Sequence, residues 1–189
     1  MHLAKAGDPR AADPWVSWMA PHRERLYPGT LGIHEAPVAF DCRTGSVVRG
    51  PIVGGDEWKD SRGPSCVTGT CDWLAQLPTG EPWVDDLKTG WPTPDALSNQ
   101  LKFYALCAVR LTGRKTGART SATHWRRGWT EPERHWRKIT REQLDDFEDQ
   151  LREAWNAARR ADAEPMTGPH CRYCPSLQVC PKHQGVTHV

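Results

Sequence analysis

The chain has 189 residues, a quarter of them charged and 38% hydrophobic, with a formal net charge of +2. That length suits one domain with a real core. A charge so nearly balanced excludes a uniformly basic surface, so any electropositive patch must come from local clustering. No apolar run reaches the ~20 residues of a membrane-spanning helix, and the opening MHLAKAGDPRAADPW lacks a hydrophobic signal core. Seven cysteines, an odd number, argue against a full set of disulfides. A cytoplasmic chain is the expectation.

Residues 1–30 read as irregular, with a short helix at the start and a loop through LYPGTLG. HEAPVAFDCRTGSVV (34–48) reads as two short strands around a DCRTG turn, and the Gly-, Pro- and Asp-rich stretch 49–65 as a mobile surface loop. CVTGTCDWLAQLPTGEPWVDDLKTG (66–90) has the pattern of a β-hairpin. Residues 93–113 predict a helix: Pro94 and Asp95 open it, Leu97, Leu101, Tyr104, Ala105 and Ala108 recur at helical spacing, and Gly113 ends it. A second strand pair is expected over 118–139. Residues 140–164 predict another helix, with Thr140 and Gln143 as a capping box and Leu144, Phe147, Leu151 and Trp155 as its apolar stripe. A cysteine-rich tail, GPHCRYCPSLQVCPKH (168–183), follows. The division expected is a core over 1–164 and a metal-binding tail over 165–189 packed on it.

The hairpin poses the chemical question. In WVDDLKTGW (83–91) two aspartates and a lysine interrupt an apolar strand, where charges are costly unless paired or bound to a metal. PTG (78–80) fits a three-residue hairpin loop with Gly80 as the left-handed residue. Pairing Leu77 with Glu81 and counting outward sets Asp72 opposite Asp86, and alternation adds Lys88 to the same face. Two neighbouring carboxylates repel, and a hard divalent cation such as Mg²⁺ or Mn²⁺ removes the penalty. With Lys88 activating water, the patch fits metal-assisted hydrolysis of a phosphodiester.

Read in order, GTCDWLAQLPTGEPWVDDLKTGW, NQLKFYALCAVRLTG and GPHCRYCPSLQVCP resemble the PD-(D/E)XK nuclease superfamily, and more narrowly the RecB-type exonucleases with their CRISPR-associated and phage-encoded members. The resemblance spans roughly residues 30–183. It implies a restriction-endonuclease-like α/β core, a mixed central sheet flanked by helices. It also implies a metal-dependent DNA exonuclease, with single-stranded DNA or DNA ends as substrate and a helicase or recombination protein as a partner. Asp72 matches the first metal-ligand aspartate, Asp86 and Lys88 the (D/E)-x-K pair, and Gln100 and Tyr104 the Q-x-x-x-Y motif. The Leu87 carbonyl and an N-terminal histidine complete the implied metal site. His2 is the favoured candidate for that histidine, with His22 or His34 as alternatives, and Glu35 is a further candidate to line the site from the first strand.

Cys171, Cys174 and Cys180 follow C-x₂-C-x₅-C. The resemblance implies a [4Fe–4S] cluster there, completed by an upstream cysteine, for which Cys42 and Cys66 are the available thiols. Zinc, completed by His170 or His183, is the alternative. Arg114, Lys115, Arg126 and Arg127 are candidate DNA contacts, with Arg134, Arg137 and Lys138 interleaved with Trp125, Trp129 and Trp136 in the next strand pair. Two rival readings stand beside the nuclease: a catalytically weak DNA-binding subunit, and a zinc-stapled protein-interaction domain.

Overall fold

The computed structural model describes residues 26–27, 32–51, 55–88, 94–125, 130–168, 171–172, 174 and 177–182. In chain order they form β1 (Gly32–Asp41), β2 (Val47–Arg49), α1 (Gly55–Asp60), β3 (Cys66–Gln76), β4 (Pro82–Lys88), α2 (Pro94–Thr112), β5 (Ala118–His124), β6 (Glu133–Ile139) and α3 (Arg141–Ala158). The six strands make one sheet in the order β2-β1-β3-β4-β5-β6. Every neighbouring pair is antiparallel except β4 and β5, which are parallel. A parallel pair needs a crossover, and α2 supplies it. The result is a mixed α/β fold consistent with the expected core.

The hairpin forms by the pattern of its turn. Leu77 N donates to Glu81 O at 2.9 Å, Gly80 N donates back to Leu77 O at 2.7 Å, and Gly80 holds φ at 78°. The ladder then runs Gln76–Pro82, Ala75–Trp83, Leu74–Val84 and Trp73–Asp85, the register counted from the sequence. It stops one step short of Asp72 and Asp86. There the side chain of Asp72 takes the place of a ladder bond, its Oδ2 accepting the Leu87 N–H at 2.7 Å.

Alternation along β3 and β4 sends Trp73, Ala75 and Trp83 to one side, where they form an aromatic core with Leu26, Tyr27 and Trp125. Tyr27 stacks on Trp73 with ring centroids 4.3 Å apart. Along α2, residues 103–109 are buried from Phe103 through Val109. The helix comes so near the sheet that a Cβ on Gly69 would lie 2.9 Å from Tyr104 Cε1. α3 begins as predicted: Thr140 N donates to Gln143 Oε1 at 3.0 Å, and Gln143 N donates to Thr140 Oγ1 at 3.2 Å. Its Leu144 is fully buried, and its Glu148 receives both Arg110 and Arg152.

Two expectations need correction. The supposed loop over 49–65 contains α1, which Lys59 ties to the sheet through a 3.0 Å hydrogen bond from Nζ to Thr70 Oγ1. Gly and Asp density concealed a helix that starts at Gly55. The last helix ends at Ala158, not at 164, and turns at Arg159–Asp162 follow it.

By compactness the chain divides into Met1–Arg152 and Glu153–Val189. In the second unit, Cys174 N donates to Cys171 O at 3.0 Å, and Cys180 N to Leu177 O at 3.3 Å. A 3₁₀ turn occupies Leu177–Val179. No described helix is long and apolar enough to cross a membrane.

Candidate active site

Asp86 and Lys88 sit at the carboxyl end of β4, the end at which open α/β sheets present their ligand sites. α2 follows β4 in the chain and returns over this end, so Gln100 reaches the same spot from the helix. Lys88 Nζ lies 2.8 Å from Asp86 Oδ2. Gln100 spans the pair, with Nε2 donating to Asp86 Oδ1 at 3.3 Å and Oε1 accepting from Lys88 Nζ at 3.4 Å. One helical turn on, Tyr104 OH stands 3.5 Å from Gln100 Nε2. The i, i+4 spacing sets Gln100 and Tyr104 on one face of α2, with Gln100 bonded to the carboxylate and Tyr104 to Gln100.

The electrostatics are unbalanced. Asp86 is 2% exposed. Its Oδ2 is buried and has no hydrogen-bond partner, so the Lys88 contact is an ion pair without hydrogen-bond geometry. Burial chiefly raises the Asp72 carboxyl to about 6; the Leu87 N–H opposes the rise and the charge of Asp86 adds to it. Tyr104 is pushed up to about 12, mainly by burial, and stays a neutral phenol. Two neighbouring carboxylates, one with an orphaned oxygen and one reluctant to ionise, are what a divalent cation would relieve. The donor set thus fits Mg²⁺ or Mn²⁺. No group of three or more His, Cys, Asp or Glu stands together as a metal site among the described residues.

Several other expected residues lie apart from this corner. His34 packs against Trp73 and Tyr27, with centroids at 4.4 and 5.4 Å, and so belongs to the aromatic core. Trp125 is fully buried and offers no stacking surface. Arg114 lies over the hairpin turn: a Cβ on Gly80 would come within 1.9 Å of its Nη2, which sets it at the opposite end of β4 from Lys88. Arg134 stacks over Tyr27, Trp83 and Trp136 at 5.3–5.6 Å, the way arginine stems cover aromatic surface. Glu35 does adjoin the site. It is set opposite Asp72 between the pairs His34–Trp73 and Ala36–Cys71, holds φ at 51°, and contributes to the rise at Asp72. His2, His22, Arg126, Arg127, Trp129, His170 and His183 lie outside the described residues. In the tail, Cys171 and Cys180 are half-buried and Cys174 is exposed, all as free thiols.

The sequence reading missed a second buried carboxylate, Asp85. Its Oδ2 accepts from Tyr27 OH at 2.8 Å, and its Oδ1 accepts from Thr123 Oγ1 at 2.8 Å and from Ser121 Oγ. Arg134 continues the network, its Nε donating to Thr123 Oγ1 at 2.8 Å. The signal was present in TSAT (120–123), a buried strand carrying hydroxyls two residues apart beside an aspartate doublet.

The fold and this corner together define a nuclease type of site. A PD-(D/E)XK nuclease superfamily model matches residues 10–181, and the chain belongs to that superfamily. It is also similar to a solved structure described as "Crystal structure of SSO0001", at 12% identity and a TM-score of 0.45, over 87% of this chain and 67% of that one. No curated protein matches.

Proposed function

We propose that the chain is a Mg²⁺- or Mn²⁺-dependent deoxyribonuclease, an exonuclease of RecB type acting on single-stranded DNA or DNA ends. The observation that carries this reading is the buried Asp86 carboxylate, ion-paired with Lys88 and bonded to Gln100, beside the raised Asp72 carboxyl. Asp72, Asp86 and the Leu87 carbonyl would hold the cation, with His2 as a further ligand. Once bound, that cation supplies Lewis-acid stabilisation of the phosphate and an acidified water.

The chain's own residues do the rest. Lys88, with its side chain 35% exposed, has access to solvent for steering or deprotonating the attacking water. Gln100 orients both Lys88 and Asp86, and Tyr104, un-ionised, donates its hydroxyl toward a phosphate oxygen. Arg126, Arg127, Arg114 and Lys115 are proposed DNA contacts. The tail cysteines are proposed to hold a [4Fe–4S] cluster, or zinc. The C-x₂-C-x₅-C spacing supports this, as does the 3.3 Å hydrogen bond from Gly168 N to Cys171 Sγ. A helicase or recombination partner follows from the resemblance alone.

Incubating end-labelled linear DNA with Mn²⁺ and either wild type or Lys88→Ala tests the proposal. Loss of substrate with wild type only is expected. Equal background with both would remove the enzyme reading, and salt-sensitive binding without cleavage would favour a DNA-binding subunit.

A further inference from the structure

The strand β4 carries two consecutive aspartates, and only one assignment of them yields D-x-K. If β4 slipped by one residue along its parallel partner β5, Asp85 would take the position of Asp86 and Leu87 would stand where the lysine is needed. Such a slip turns every side chain of the strand to the other face. It would also carry Trp83 out of the aromatic core and set Val84 opposite Ser121, so packing and polar pairing both oppose it.

The observed register pairs Asp85 with Ser121, Asp86 with Ala122 and Leu87 with Thr123. Ser121 and Thr123 therefore flank Asp85 on its own face, while Asp86 has only an alanine methyl opposite. Tyr27 closes the third side, and Arg134 braces it through Thr123 and through a 2.5 Å hydrogen bond from Nη2 to the Leu26 carbonyl. Asp85, 0% exposed, is the better satisfied of the two carboxylates by three hydroxyl donors.

We propose that Asp85 is a positioning residue: its hydroxyl cage of Tyr27, Ser121 and Thr123 locks the register of β4 and so delivers Asp86 and Lys88 together to the opposite face. Buried polar groups serve structural uniqueness in this way when each partner is satisfied and the alternative register leaves them unpaired. The assignment of roles to Asp86 and Lys88 rests on the nuclease reading. The lock itself does not touch substrate or metal.

The test uses the full chain and Asp85→Asn, which keeps the shape and removes the charge. Two local amides report the register without any need for catalysis: Leu87 N–H, bonded to Asp72, and Trp125 N–H, bonded to Lys88 O at 3.0 Å. Hydrogen exchange at both should rise by about 10-fold or more relative to amides of β1. In the Mn²⁺ assay kcat should fall about 10-fold with KM unchanged. Leu144→Ala, a buried change in α3, serves as the control for lost stability and should move neither local readout when both variants are assayed well below melting. If Asp85→Asn fails to fold, Thr123→Val, which deletes one hydroxyl at constant shape, should give smaller changes of the same sign. A folded variant with wild-type exchange at Leu87 and Trp125, or with wild-type kcat, overturns the lock. Inactive wild type with raised exchange in the variant overturns the nuclease reading and leaves the lock standing.

Discussion

Asp85 and Asp86 are neighbours on one strand, both buried, and the fold treats them in opposite ways. Asp85 is surrounded by three hydroxyl donors on the aromatic side of the sheet. Asp86 is left with an oxygen that no hydrogen bond reaches, beside an ammonium group at the carboxyl end of β4. The difference separates structure from function at single-residue resolution. Asp85 is held by neutral hydroxyls alone, whereas Asp86 is held by an amide and an ammonium group, the pair the proposed reading assigns to chemistry.

The widest separation is expected in activity. Asp86→Asn should lower Mn²⁺-dependent cleavage by more than about 100-fold, beyond the loss usual for groups standing behind a metal ligand. It should leave melting nearly unchanged, because it also removes repulsion with Asp72. Cleavage within a factor of a few of wild type would collapse the contrast.

Asp85→Ala should cost stability as well as rate and unfold the protein more easily, since it strands three buried hydroxyls. The cost is on the order of 3 kcal/mol, or a drop in melting temperature of about 6–12 °C in calorimetry for a chain of this size. A stable Asp85→Ala would mean that the cage is decorative.

Acid sharpens the comparison on the other side. Burial holds the folded Asp72 carboxyl at about 6, above the ~3.9 of an unfolded chain. The folded state therefore binds the extra proton between these values, and metal-free stability falls as pH rises through that window. Cation binding requires the deprotonated carboxylate, so the rise in melting temperature on adding Mn²⁺ should be small at pH 5 and full by pH 7.5. An equal rise at both would show that Asp72 is not a ligand. The smallest effect expected is at Thr140→Ala, far from either aspartate, where loss of the capping box should cost about 1 kcal/mol in denaturant unfolding with no change in kcat.

The hairpin was legible because its turn chemistry is local. Pro78 and Gly80 fix the loop, the loop fixes the count, and the count brings Asp72 toward Asp86. α2 was legible for the same reason, since Gln100 and Tyr104 lie one helical turn apart whatever the rest of the chain does. α1 was hidden by glycines that precede it and by a contact, Lys59 to Thr70, that only the sheet provides. Asp85 was hidden because its partners come from residues 27, 121 and 123, and no spacing rule within β4 reveals which neighbour the crossover will deliver. Arg114 stands just past the end of α2, and fourteen residues beyond Gln100 is roughly 20 Å along a helix axis, so the same helix that carries Gln100 to the carboxylates carries Arg114 away from them.

The close approach of α2 to Gly69 has a consequence for how the active corner can be dismantled. A methyl group at that position would act as a wedge under Tyr104, lifting the helix that carries Gln100 away from the strands that carry the carboxylates. An alanine there could disarm the enzyme while touching none of its acidic or basic groups.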